Sequence, residues 1–123
     1  MNKEISITLT KDEWRSVETW VTSASHRTFE KTYKARLTEL LEFITPLCRS
    51  LYFSDDMSAM NIPYDSEHTL TLDRSYFRYL VFSVGIIAYD LLFSFKSQTS
   101  QTALEIVKKI EEQGDEKWKK TRS

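Results

Sequence analysis

The chain has 123 residues, 41% of them hydrophobic and 28% charged, which suits one globular core and excludes both a disordered tail and a fibrous protein. Lys plus Arg is 17 and Asp plus Glu is 18, a net charge of −1, so no global field draws the chain onto nucleic acid or an anionic membrane. Two Gly and two Pro, set against 3 Trp, 6 Tyr and 7 Phe, argue against a turn-rich all-β fold and for long helices around an aromatic core.

Ile5, Ile7 and Leu9 alternate with Ser6, Thr8 and Thr10, the period-2 pattern of a half-buried strand over 5–9. Thr10 opens the run T-K-D-E, a capping box in which the hydroxyl caps the third helical amide and Glu13 reaches back. A helix over 11–24 then sets Trp14, Val17, Val21 and Ala24 on one apolar face. Trp20 falls at the edge of that stripe and is expected to be exposed. Ser23 to His26 reads as a weak break.

A longer helix is expected over 28–53. Phe29, Tyr33, Leu37, Leu40, Ile44, Leu47 and Leu51 recur at spacings of three and four, the seam of a packed bundle. Pro46 lies on the opposite side, where it would kink or restart the helix, with Thr45 able to cap the restart. Ser54 to Glu67 is the clearest non-helical stretch.

His68 to Leu72 repeats the strand pattern, and Asp73 is a natural N-cap for a third helix over 74–96. The two strands are expected to pair as an antiparallel ribbon. At an offset of 63, I7-T-L-T-K-D-E-W-R15 lies over L70-T-L-D-R-S-Y-F-R78, with Thr8, Leu9 and Arg15 identical to Thr71, Leu72 and Arg78. The chain therefore reads either as a duplicated β-α-α unit or as two unrelated strand-to-capped-helix junctions. The third helix is apolar around most of its circumference, and only the stripe through Ser75, Tyr79, Ser83, Asp90, Ser94 and Ser97 looks wet. Such a helix is either central or an oligomer seam. A last helix over 100–114 uses Ala103, Leu104, Val107 and Ile110, with Gly114 terminating it before a charged tail.

The fold class that follows is α+β, mainly helical: a four-helix bundle-like domain over 1–114 with a small two-stranded antiparallel ribbon, then a C-terminal tail over 115–123. The expected core comprises Trp14, Val17, Val21, Leu37, Leu40, Ile44, Leu47, Phe77, Val81, Val84, Ala88, Leu91, Leu104 and Val107.

Chemistry is hard to place on this chain. With glycine only at 85 and 114, a phosphate-cradling loop cannot be written. His26 and His68 are 42 residues apart and lack any metal-ligand spacing. Cys48, the single cysteine, cannot form an intramolecular disulfide and reads as a buried structural thiol with no basic partner at helical spacing. Neither a metal nor a cofactor is expected, and no catalytic spacing is present, so the chain is read as not an enzyme. The N-terminus lacks the pattern of a secretory signal, which makes the cytoplasm the expected compartment. Residues 76–95 approach the length of a bilayer span, yet Arg78 and Asp90 lie within them, and an ionised Asp in hydrocarbon costs about 2.5–3.5 kcal/mol. A buried helix is the expectation, with no membrane.

Between Arg49 and Arg74 the chain holds Asp55, Asp56, Asp65, Glu67 and Asp73 and no Lys or Arg. That local charge of −5, with Tyr52, Met57, Met60 and Tyr64 interleaved, reads as an acidic docking surface for a partner protein with a basic face. Trp20 is a further candidate anchor. The expected function is a small protein-binding module that masks its partner, in the manner of an inhibitor or immunity-like accessory protein, and the apolar helix 74–96 offers a seam for a homodimer. The alternative is a nucleic-acid-associated protein using Arg27, Lys31 and Lys34, which share one helix face. Glu30 interrupts that patch, so nucleic acid is the less favoured partner.

Overall fold

The computed structural model describes residues 4–53, 58–94 and 98–122, with side chains described except at 58–59, 91–94, 98–100 and 115–122. The order is β1 (Glu4–Thr10), α1 (Lys11–Arg27), α2 (Lys31–Tyr52), a single 3-10 turn at Ser58–Asn61, β2 (Glu67–Asp73), α3 (Arg74–Ser94) and α4 (Gln98–Arg122). The fold is mainly helical, with one two-stranded antiparallel sheet. Among the described residues, no helix is long and apolar enough to cross a membrane.

Alternation decides which face of the ribbon is dry. Ile5, Ile7, Leu9 and Leu72 are buried against the helices, with Leu70 half-buried beside them. The outer face is a hydroxyl ladder in which Ser6 meets Thr71 at 3.0 Å and Thr8 meets Thr69 at 2.7 Å. A two-stranded ribbon is marginal alone, so the helices beneath it carry the register. Trp14, fully buried, donates from Nε1 to the His68 carbonyl at 2.8 Å and so ties α1 to β2.

The capping box forms as the sequence requires: Thr10 Oγ1 accepts from the Glu13 amide at 3.2 Å and Glu13 Oε1 accepts from the Thr10 amide at 2.9 Å. Lys109 of α4 donates to the same Glu13 oxygen at 2.8 Å. Burial pulls the Glu13 carboxyl upward, but these hydrogen bonds and the nearby ammonium outweigh it and hold the group below its ordinary value.

The 63-residue offset is geometric as well as textual. It carries β1 onto β2 end for end and the first residue of α1, Lys11, onto the first residue of α3, Arg74. Ile7 pairs across the ribbon with Leu70, its own counterpart. The packing of α1 on α2 is matched by that of α3 on α4, but α2 also packs on α3 where α4 makes little contact with α1.

Several local expectations shift. The break at 23–26 is absent: α1 continues to Arg27 because Ala24 and Ser25 are buried, and only residues 28–30 connect to α2. Phe29 therefore lies outside the helical seam and is fully exposed. Glu30 supplies the cap, its carboxylate accepting from the Thr32 and Tyr33 amides. Helix α2 passes through Pro46 without a restart; Pro46 is on the exposed side, where the missing hydrogen bond costs no packing. Helix α4 runs past Gly114 to Arg122. The glycine serves close approach: a Cβ there would stand 2.0 Å from Cζ of Phe77. The buried stripe of α4 is Ala103, Ile106 and Ile110, with Leu104 and Val107 only partly covered. Of the other expected core residues, Leu47, Phe77 and Val81 are partly buried, and Leu91 lies outside the described residues.

Candidate functional site

The acidic segment is anchored by a lysine from elsewhere in the chain. Lys11, at the junction of β1 and α1, is only 4% exposed. Its Nζ donates to the Ile62 carbonyl at 3.0 Å and lies 4.5 Å from the ring centre of Tyr52 and 5.2 Å from that of Tyr64. The Lys11 and Asp12 amides donate to the carbonyls of Ser66 and Tyr64. The segment has no cation of its own in sequence, yet a cation from 51 residues away sits beneath it, bonded at Ile62. Tyr52, half-buried and donating to the Lys11 carbonyl at 3.4 Å, is part of this clamp. Met60, Tyr64, Asp65 and Glu67 are exposed, Glu67 within β2. Asp55, Asp56 and Met57 lie outside the described residues.

Trp20 is not an exposed anchor. It is 9% exposed and belongs to the central cluster with Trp14 and Val21. Helix α1 buries a stripe wide enough for both tryptophans because α2 and α3 both pack on it.

The basic face is partly neutralised. Arg27 is paired with Asp90 of α3, and Arg36 donates to Glu39 at 3.1 Å. Lys31 and Lys34 are exposed. Cys48 is buried, its Sγ donating to the Trp14 carbonyl at 3.5 Å, and burial pushes the thiol up to about 12, the setting of an inert packing residue. His68 Nε2 meets the Ser66 hydroxyl at 2.7 Å. Among the described residues, no group of three His, Cys, Asp or Glu side chains is placed to hold a metal.

The most unusual surface is on α3. The stripe expected to be wet is only partly so: Ser75 and Asp90 are exposed, and the side chains of Ser94 and Ser97 lie outside the described ones. Ser83 is fully buried, its hydroxyl satisfied by the Leu80 carbonyl at 3.1 Å, and Tyr79 is half-buried with its ring 5.9 Å from that of Tyr33. The exposed line instead runs through Phe82, Ile86 and Tyr89, at 58%, 42% and 57% exposure, spaced four and three on one helix face. Gly85 sits among them with nothing within 4 Å of the position a Cβ would take. Phe82 rests edge-on against Tyr33, 5.8 Å between ring centres.

The shared strand-to-helix register of the two halves supplies a comparison inside the same molecule. Subtracting 63 carries Phe82, Ile86 and Tyr89 onto Thr19, Ser23 and His26 of α1, and Gly85 onto Thr22. In α1 the fold is built with polar residues at these positions. In α3 it carries three large apolar side chains. The β-α-α architecture therefore does not demand them, and exposed apolar groups in a line are the usual mark of a surface that something else covers.

Beside this line, α3 and α4 bound two adjoining depressions. One has a volume of about 600 Å³ and runs past Arg74, Phe77, Arg78 and Val81. The other, about 350 Å³, lies against Gly85, Ile86, Leu104 and Val107. Val81, Phe82 and Glu111 line both, so the two form one groove. Comparison with protein-family models, with curated proteins and with solved structures finds no match for this chain.

Proposed function

We propose that the chain is a non-catalytic protein-binding module of the cytoplasm that acts by covering a partner's surface. The outer face of α3 is its principal contact. One observation carries the reading: Phe82, Ile86 and Tyr89 stand exposed where the equivalent positions of α1 hold Thr19, Ser23 and His26. Aromatic and aliphatic anchors concentrate binding energy in this way, since truncating a central one costs about 2 kcal/mol or more. The exposed Met60 and Tyr64, with Asp65 and Glu67 nearby, extend the reading to a second contact that favours a basic partner surface and sets its association rate. The pairing of Arg27 with Asp90 and of Arg36 with Glu39 weighs against the nucleic-acid alternative.

The test is capture of partners by the wild-type chain and by the variant Ile86→Ser with Tyr89→His, which writes the α1 residues onto α3. The partner should bind the variant at least about thirty-fold more weakly, the equivalent of about 2 kcal/mol, while Thr19→Ala with Ser23→Ala leaves binding unchanged. A second copy of the chain is one partner this assay detects, through a concentration-dependent sedimentation coefficient. Equal capture by the wild type and the α3 variant would remove this face from the function.

A further inference from the structure

We propose that the α3–α4 groove is a binding site for an anionic amphiphile, a single acyl chain ending in a carboxylate. The walls of the groove suit an acyl chain. Phe77, Val81, Phe82, Ile86, Leu104 and Val107 make the groove apolar along its length, and its combined volume falls in the range of small-molecule sites. The α3 residues that line it run from Arg74 to Tyr89, a rise of roughly 22 Å along the helix axis. That is long and narrow, the shape of an extended chain.

One end of the groove suits a carboxylate. Arg74 and Arg78, one turn apart, both line the larger depression. Neither takes part in any of the ion pairs among the described residues. Nε of Arg74 is buried without a hydrogen-bond partner. A guanidinium with one N–H out of water and without an acceptor is poorly solvated, a cost that a carboxylate beside it would offset by its charge. Lys108 lines the second depression and Glu111 lines both, so among the described residues the groove carries three cations to one carboxylate. The sign of that balance selects an anion over a cation of the same chain length.

Because Glu111 stands midway, the head group is held at the Arg74 end and the chain points toward Leu104 and Val107. The groove shares Phe82, Ile86 and Tyr89 with the proposed protein contact, so an acyl chain and a protein partner would compete for them. A partner peptide offering an acidic side chain to the same arginines is the competing occupant, and the test separates the two.

The probes are octanoate, dodecanoate and dodecylammonium, each titrated calorimetrically into the full chain below its micellar concentration. Dodecanoate is expected to bind saturably with one site, at least tenfold more tightly than dodecylammonium. Octanoate should be weaker, by up to about fourfold per missing methylene. Arg74→Gln with Arg78→Gln should weaken dodecanoate at least tenfold and leave dodecylammonium unchanged or improved. Val107→Phe, which fills the far depression, should abolish the advantage of dodecanoate over octanoate while leaving the head-group preference. Circular dichroism of each variant separates lost binding from lost fold. Equal affinity for the two head groups, or absent saturation by dodecanoate, overturns the proposal. So does weakened capture of a protein partner by the double arginine variant together with silence toward dodecanoate, which would give these arginines to the protein contact.

Discussion

Replacing Gln113 by Leu tests how the free edge of β1 is held. The Thr8 amide donates to Gln113 Oε1 at 2.6 Å, and the Thr8 carbonyl accepts from Gln113 Nε2 at 2.9 Å. One side chain from α4 thus does for β1 what a third strand would do. Leucine keeps nearly the same volume and offers neither polar atom, so two half-buried backbone groups lose their partners. At about 0.5–1.5 kcal/mol net per hydrogen bond, the loss is about 1–3 kcal/mol. A central value of about 2 kcal/mol lowers the melting midpoint of a chain this size by roughly 6–12 °C. The thermal melt measures the total, and hydrogen exchange at the Thr8 amide measures the place, with protection there falling more than at Ile7, which lies fully buried beside it. Gln113→Glu adds a charge-state check. Its carboxylate still accepts from the Thr8 amide but cannot donate to the carbonyl, so its deficit relative to wild type should narrow as acid protonates it. A melt of Gln113→Leu within about 2 °C of wild type, with unchanged exchange at Thr8, would refute the claim that this side chain holds the edge.

Acid should destabilise the fold through three carboxylates. Glu13 is held below its ordinary value, hydrogen bonds and the Lys109 ammonium outweighing burial. Glu30 is lowered by the Tyr33 and Thr32 amides, and Glu39 by the Tyr76 hydroxyl and Arg36. Their contribution is complete above the unfolded value and is lost as pH falls through the lower folded values. Urea unfolding at pH 7, 4 and 3 should show that decline, and Glu13→Gln should flatten it; constant stability across the series would contradict the assignment. Gly114→Ala places a methyl against the Phe77 ring, where a Cβ comes within 2.0 Å. The ring must turn or α4 must move outward, at about 1–3 kcal/mol, and near-ultraviolet circular dichroism should register it. Gly85→Ala, in open space, should instead stabilise α3 slightly, by up to about 1 kcal/mol.

The regular elements were legible because their signals are local. The capping box at Thr10, the alternation of Ile5, Ile7 and Leu9, and the seam from Leu37 to Leu51 each need only a few consecutive residues. The likeness of the two strand-to-helix junctions was legible too, since an offset of 63 aligns them letter against letter. The candidate surface was not. A helix as apolar as α3 gives no amphipathic contrast, so small polar residues were the only guide to its wet side, and Ser83 misled because a serine can bury its hydroxyl against the Leu80 carbonyl. Trp20 misled for the opposite reason. A residue at the edge of one stripe is buried when two neighbouring helices pack on the same element.

What the sequence determined by itself is therefore everything set by short-range physics: element type, cap chemistry, the antiparallel ribbon, and the mainly helical class that two glycines and two prolines in 123 residues allow. Tertiary structure decided what depends on distant residues meeting. Lys11 reaches Ile62 beneath the acidic segment, Gln113 brackets Thr8 across 105 residues, and Phe77 takes the space a side chain at 114 would fill. Most of all, packing chose which flank of α3 remains in water. That choice is a sum over the faces offered by α1, α2 and α4, and no window along a single helix contains it.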